Sequence, residues 1–166
     1  MRIGIVSDTH GHLQYTLDAV RMLESLAVDR VIHWGDVGSA DIPELFSKWP
    51  TDYVLGNVDY NIQEIEQAAA RLGHTLHGLQ AELEWDGQRI AVTHGHFEAI
   101  LNDYIESGDW DMVCHGHTHR SRNEKIGETL VFNPGAMYRA IVHSVGYVET
   151  KSSKTGGLRA DIIPVN

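Results

Sequence analysis

Five short polar words bring carboxylates, an amide oxygen and imidazoles into one chain: Asp8-x-His10, Gly35-Asp36, Gly56-Asn57, His94-Gly95-His96 and Gly116-His117-Thr118-His119. Neutral imidazole suits Zn, Fe, Mn and Ni, and carboxylate and amide oxygens suit Mn and Mg. No thiolate accompanies them, so the mixture points to a hydrolytic centre rather than a structural zinc. Seven residues, Asp8, His10, Asp36, Asn57, His94, His117 and His119, are too many ligands for one ion. With one carboxylate shared they complete two ions and leave positions open for water and substrate. That is the composition of a two-metal site with ions roughly 3.5–4 Å apart.

Each word stands where an apolar strand stops. Ile3 to Val6 reads as a buried strand feeding Asp8, Val31 to Trp34 as one feeding Asp36, and Tyr53 to Leu55 as one feeding Asn57. Between them, Leu13, Leu17, Val20, Leu23 and Leu26 recur at helical spacing. A short helix is expected from about Asp41 to Lys48, capped by Asp41 with Pro43 in its first turn. Strand alternating with helix at this spacing predicts parallel pairing at the start of the domain. An Ala-rich helix from Asn61 to Leu72 stops at Gly73. The period then changes: Leu79, Ala81, Leu83 and Trp85 alternate with polar residues up to the Asp86-Gly87 turn, and Ile90 to Val92 leads into His94. Here the sheet order is expected to turn antiparallel. A helix near Phe97 to Ser107 and a strand at Met112 to Cys114 lead to His117. Val131 to Asn133, Ile141 to Val148, a turn at Lys154 to Gly157 and Ala160 to Val165 read as short strands and hairpins. Periodicity alone therefore predicts a mixture of α and β.

At 166 residues the chain fits one domain, residues 1–166, with one hydrophobic core. The net charge of -10 repels phosphate backbones and argues against binding duplex nucleic acid through a basic patch. One cysteine, Cys114, excludes an internal disulfide, and the opening apolar run is too short for a signal peptide or a membrane span. The expectation is a cytoplasmic protein that binds neither membrane nor duplex nucleic acid, as a monomer or a homo-oligomer.

Taken together, Asp8-x-His10, Gly35-Asp36, Gly56-Asn57-x-Asp59, His94-Gly-His96 and Gly116-His117-x-His119 resemble the five blocks of the calcineurin-like metallophosphoesterases, in order across residues 3 to 135. The short length, the opening Ile-Gly-Ile-Val-Ser-Asp-Thr-His-Gly and the later Asn133-Pro134-Gly135 are most similar to the small bacterial and archaeal phosphodiesterase branch. The resemblance implies a four-layer αββα sandwich of two stacked mixed sheets flanked by helices. It implies that Asp8, His10, Asp36 and His119 hold one ion and that Asp36, Asn57, His94 and His117 hold the other, with Asp36 bridging. The implied ions are divalent, Mn²⁺ first, with Ni²⁺, Fe²⁺ and Zn²⁺ as the other ions such ligands accept. The implied activity is hydrolysis of a small organic or nucleotide phosphodiester by a hydroxide bridging the ions. The alternatives are a nucleotidase or dinucleoside polyphosphatase of the same superfamily, and a non-catalytic scaffold like the retromer subunit of this fold, in which the metal blocks are degraded. Two divalent ions outweigh Asp8, Asp36 and a hydroxide, so such a site attracts a phosphate anion even inside an acidic protein.

One position departs from the wider superfamily. Many relatives carry a histidine after the Gly-Asn word, thought to protonate the leaving oxygen, and here Val58 stands there. His96 is the substitute proton donor or phosphate contact that the sequence offers, on the same side as His94 if the strand continues. Catalytic roles are thus expected for Asp36, Asn57 and His96. Other polar residues have plainer readings. His33 lies in an apolar run as a hydrogen-bonded core residue, His115 is structural, and Asp59 braces the Asn57 loop. Cys114 packs as a small hydrophobe. His12 opens a helix, Arg139 is a candidate phosphate contact, and His74, His77 and His143 belong to no motif.

Overall fold

The computed structural model describes residues 1–151 and 156–165. Eleven strands and four helices follow in the order β1 (Arg2–Val6), α1 (Leu13–Ser25), β2 (Arg30–Trp34), α2 (Ile42–Leu45), β3 (Thr51–Val54), α3 (Ile62–Arg71), β4 (Thr75–Leu76), β5 (Gln80–Trp85), β6 (Gln88–Thr93), α4 (Glu98–Ser107), β7 (Met112–Cys114), β8 (Arg122–Ile126), β9 (Thr129–Asn133), β10 (Ser144–Glu149) and β11 (Arg159–Pro164) among the described residues. The first sheet has the order β11-β10-β1-β2-β3-β4 and the second β5-β6-β7-β9-β8.

The two-residue period of the strands divides their side chains between layers. Ile3, Ile5, Ile32, Trp34 and Val148 of the first sheet meet Ile90, Val92, Met112, Cys114 and Phe132 of the second, which makes the sheet-on-sheet core. Trp34 and Phe132 cross there edge to face, with ring centroids 5.9 Å apart. Each fully buried side chain of this size contributes about 1.5–3 kcal/mol relative to leaving it in water. On the other face of the first sheet, Val6, Val31, Tyr53 and Val145 pack against Ala19 and Leu23 of α1, Ile42 of α2 and Ile65 of α3. On the outer face of the second, Ala91 and Val113 pack against Ile100, Leu101, Tyr104 and Ile105 of α4. Helices, sheet, sheet and helix thus form the four-layer αββα sandwich.

Strands β1 to β4 pair parallel, and β10 joins β1 antiparallel. The antiparallel turn expected around Asp86-Gly87 is present as the β5–β6 hairpin, but it does not carry through the second sheet. Only its edge pairs, β5 with β6 and β8 with β9, are antiparallel, whereas β6, β7 and β9 are parallel, since α4 carries the chain back between β6 and β7. Strand β8 has no apolar periodicity in its sequence because its residues are polar and mostly exposed, and β4 is too short for one at two residues. The helix at Asp41 is shorter than expected, and Asp41 precedes it without a side-chain cap bond. Leu79 lies outside β5 and is exposed, and the strand expected from Ile141 starts at Ser144, leaving Ile141 and Val142 in solvent. Of the turn expected at Lys154 to Gly157, Lys154 and Thr155 lie outside the described residues. No helix among the described residues is long and apolar enough to cross a membrane.

Candidate metal centre

All five polar words begin at the C-terminal ends of parallel strands, β1, β2 and β3 in one sheet and β6 and β7 in the other. Parallel pairing brings those ends to one edge, the edge at which open α/β sheets bind ligands. The ladder bonds continue past the strands. Asp8 N–H donates to Gly35 O (3.1 Å), His10 N–H to Asp36 O (2.8 Å) and Gly116 N–H to His94 O (2.9 Å). Two further bonds join the sheets: the His94 ring at Nδ1 with Trp34 O (2.7 Å), and His117 N–H with Asp8 Oδ2 (3.3 Å).

The backbone here is strained in a concentrated way. Eight described non-glycine residues have positive φ, and five of them are expected ligands: Asp8 (55°), His10 (48°), Asp36 (52°), His117 (64°) and His119 (55°). Each such residue costs on the order of 1 kcal/mol and persists only where its surroundings hold it, which is typical of working sites. Two glycines make room for the turns. A Cβ on Gly35 would stand 2.6 Å from His94 Nδ1, and one on Gly56 would collide with Asp36 Oδ1.

Both carboxylates are fully or almost fully buried, and each uses one oxygen for the scaffold. Asp8 Oδ2 accepts from Ser7 Oγ (2.5 Å) and Asp36 Oδ1 accepts from Val58 N–H (3.1 Å). The other oxygens face imidazoles. Asp8 Oδ1 lies 3.1 Å from His119 Nε2, 3.9 Å from His94 Nε2 and 4.0 Å from His10 Nε2. Asp36 Oδ2 lies 3.3 Å from His94 Nε2 and 3.4 Å from His10 Nε2.

These approaches lack hydrogen-bond geometry at their buried ends, and Asp8 Oδ1 and His94 Nε2 have no hydrogen-bond partner. The tautomers give the reason. A carbonyl only accepts, so His94 Nδ1–H donates to Trp34 O and His119 Nδ1–H to Arg139 O (3.4 Å). In the neutral rings each Nε2 therefore presents a lone pair toward a carboxylate oxygen. Acceptor facing acceptor is relieved by a proton or a metal cation between them, and the donor set fits a divalent metal of the Mn, Fe, Ni or Zn kind.

The charges agree with this. Burial pushes the Asp36 carboxyl up, but His94 and the Val58 amide more than reverse that and hold it at about 2. Burial pushes His94 down, and Asp36 with Asp8 still raises it above the ordinary histidine value; Asp8 raises His119 in the same way. A field that holds a proton on these rings is one that holds a metal cation. His10 goes the other way, lowered by burial against the pull of Asp36 and Asp8.

Of the expected ligands, Asp8, His10, Asp36 and His119 bring ligand atoms within 4.8 Å of one another. That group is one of the two ion sets implied by the resemblance. The second set is looser. His94 is against Asp36, the exposed His117 has its ring centroid 5.3 Å from that of His94, and Asn57 stands exposed on the loop between the tethered Gly56 and Val58 amides. His96 lies 6.2 Å from His117, centroid to centroid, with Nδ1 buried and unpartnered. Burial, then His94 and His117, lower its pKa, so it is a neutral imidazole near pH 7.

Asp59 ties two glycine loops together, accepting from Gly38 N–H and Gly56 N–H at 2.7 Å each. His33 pairs with Thr9 Oγ1 (2.9 Å) in the core, and its burial lowers its pKa to about 3. Asn133 Nδ2 donates to Gly116 O (2.9 Å) and Thr118 Oγ1 (3.2 Å), so the Asn-Pro-Gly word braces the loop of His117 and His119. His12 caps α1 and stacks on Tyr15. Two neighbours of the centre went unread in the sequence: Ser7, whose adjacency to Asp8 was a usable signal, and Tyr138, 5.4 Å from the His10 ring, which no motif marks.

A family model for the calcineurin-like phosphoesterase superfamily domain matches residues 1–153. Phosphodiesterase MJ0936 of Methanocaldococcus jannaschii is 30% identical over 159 residues, spanning 93% of this chain and 96% of that protein. The probable metallophosphoesterase YsnB of Bacillus subtilis is 29% identical over 147 residues, spanning 82% of this chain and 75% of that one. Among solved structures, an archaeal phosphodiesterase superposes with a TM-score of 0.86 at 28% identity, covering 98% of this chain and all of the other. Vps29 of Entamoeba histolytica, in a single-mutant form, superposes at 0.68 with 16% identity over the full length of both, a likeness of fold alone.

Proposed function

The chain belongs to the calcineurin-like phosphoesterase superfamily and is a phosphoric ester hydrolase, and from that premise we propose that it hydrolyses small organic or nucleotide phosphodiesters with two divalent ions, Mn²⁺ first among them. The observation that carries this reading is the meeting of acceptors at the strand ends, where Asp8 Oδ1 and Asp36 Oδ2 face imidazole nitrogens across 3.1 to 4.0 Å. One ion falls to Asp8, His10, Asp36 and His119, and the other to Asp36, Asn57, His94 and His117. When bound, two such ions supply Lewis-acid charge that lowers the pKa of a water and neutralises the phosphoryl group during in-line displacement.

What the chain itself contributes is placement. Ser7 and the His117 amide fix Asp8, the Val58 amide fixes Asp36, and the carbonyls of Trp34 and Arg139 fix the tautomers of His94 and His119. Held in this way, the ligands need little reorganisation when charge develops on the substrate. The test is a comparison of bis(4-nitrophenyl) phosphate with 4-nitrophenyl phosphate and a dinucleoside polyphosphate. The diester is expected to give the highest kcat/KM; a preference for monoester or polyphosphate transfers the assignment to the nucleotidase or polyphosphatase class, and no turnover of any of them supports a scaffold.

Proton delivery to the leaving oxygen is the weak point of this site. Val58 has a hydrocarbon side chain, and His96 is neutral near pH 7. Rate should therefore fall steeply as the leaving alcohol's pKa rises, with good turnover of aryl diesters and poor turnover of alkyl ones. Each tenfold loss corresponds to about 1.4 kcal/mol of barrier. Val58→His should improve alkyl esters more than aryl ones, by up to about 10²-fold for a well-placed acid. A leaving-group series with chemistry rate-limiting measures this, and a flat series in the native protein would make His96 the working donor.

A further inference from the structure

The segment between β9 and β10 crosses the edge of the metal centre and is pinned along its length. The buried Met137 donates its N–H to Ser7 O (3.2 Å), the Arg139 carbonyl receives His119 Nδ1–H (3.4 Å), and the Ser144 hydroxyl donates to Pro134 O (2.6 Å). Yet two consecutive β-branched residues of this segment, Ile141 and Val142, stand in solvent at 105% and 57% exposure. They do not join the core that their sequence invites them to join. A fixed loop that presents apolar side chains next to a polar centre has the make-up of a recognition surface.

That surface forms one wall of a hollow of ≈ 430 Å³. Ile162 and Pro164 of β11 face it from another side, Arg120 stands on its wall, and His119 belongs to its lining. The hollow therefore has a candidate ligand of the metal centre and a group of aliphatic side chains in one lining. Its volume lies within the range of small-molecule pockets, roughly 300–1,000 Å³.

The geometry of in-line displacement says which part of a diester would enter it. Attacking and leaving oxygens lie opposite one another across phosphorus, and the two nonbridging oxygens and the retained ester oxygen lie around the girdle between them. With the nonbridging oxygens on the charged centre and the leaving group directed away from it, the retained ester group extends sideways along the flanking surface. The hollow has one candidate ligand, His119, in its lining and is thus a surface adjoining the centre. We propose that it is the pocket for the retained ester group, and that it selects phosphodiesters carrying an aryl or comparably bulky apolar group there. This inference rests on the phosphodiesterase reading and adds the substrate class.

Two diesters with one leaving group isolate the retained position: 4-nitrophenyl phenyl phosphate and 4-nitrophenyl methyl phosphate. The Mn²⁺-loaded native protein should favour the phenyl ester about tenfold in kcat/KM, the scale of discrimination an apolar pocket gives. The double variant Ile141→Ser, Val142→Ser, altered at two exposed positions, should bring the ratio to about one. Calorimetry supplies a readout besides turnover: phenylphosphonate should bind the native protein roughly tenfold more tightly than methylphosphonate, and the variant about equally. Equal kcat/KM for the two esters in the native protein, or a phenyl preference that survives in the variant, overturns the pocket while diester hydrolysis stands. If neither ester is hydrolysed, it is the phosphodiesterase reading that fails. Phosphonate binding then decides the pocket alone, supporting it if the phenyl preference is lost in the variant and overturning it if native protein shows none.

Discussion

Stripping divalent ions from the purified protein should abolish phosphodiester hydrolysis, with a fall on the order of 10³-fold or more. Losing about 4 kcal/mol of charge stabilisation at phosphorus is sufficient for that. Among the described residues, the side chains gathered at the strand ends are two buried carboxylates and imidazoles, in a chain whose net charge is -10, so nothing in that group matches the charge of two divalent ions. Adding back Mn²⁺ should restore activity and Ca²⁺ should not. Ca²⁺ takes six to eight oxygen ligands, whereas His10, His94, His117 and His119 offer nitrogen. A second readout is thermal. An ion that binds only the folded chain stabilises it by about 2.7 kcal/mol at a hundredfold excess over its Kd, so Mn²⁺ should raise the Tm of the stripped protein. Full activity in a sample shown by elemental analysis to be metal-free would end the metal-centre reading.

How much of this was legible in the sequence depends on what each residue had to do. Buried parallel strands are continuous apolar runs, and Ile3 to Val6, Val31 to Trp34 and Ile90 to Val92 announce themselves because both of their faces are covered. The polar word after each run is legible for the same reason, since burial ends where the strand ends. Strand β8 is not legible, because Arg122 to Ile126 sits at a sheet edge and needs no apolar face. Ile141 and Val142 mislead in the opposite sense, being strand-like residues that the fold leaves in water. Within the site, types and spacing indicated the ligands but not their conformation. His10, His117 and His119 adopt left-handed backbone that histidine accepts only at a cost, and nothing local advertises it. Nor could spacing show which carboxylate oxygen is tied to the scaffold and which faces the imidazoles, because Ser7, Val58 and the Trp34 carbonyl decide that through contacts made only after folding.

Asp36→Ala is expected to be the most damaging single substitution among the proposed ligands, with turnover down by about 10³-fold and both metal sites depleted. Asp36 Oδ2 faces both groups more closely than Asp8 Oδ1 does, 3.4 Å from His10 Nε2 and 3.3 Å from His94 Nε2, so with Asp36 as the shared ligand its removal takes a ligand from each ion. Asn57→Ala takes a ligand from one, and a loss of 10- to 100-fold is the corresponding expectation, near the scale of a single supporting contact. Asp36 also has a second task, since its Oδ1 accepts from the Val58 amide and so holds the Asn57 loop. Asp36→Asn separates the two tasks. The amide oxygen still accepts from Val58, while the charge and the shared metal oxygen are lost. If charge and ligation dominate, Asp36→Asn should resemble Asp36→Ala in metal content and turnover; if loop bracing dominates, it should resemble the native protein. Elemental analysis after dialysis reads this directly, with two ions per chain expected in the native protein and fewer than one in Asp36→Ala. Retention of both ions in Asp36→Ala would show that the shared ligand lies elsewhere, and Asp8, whose Oδ1 stands within 4.0 Å of the same two imidazoles and of His119, would be the residue to test next.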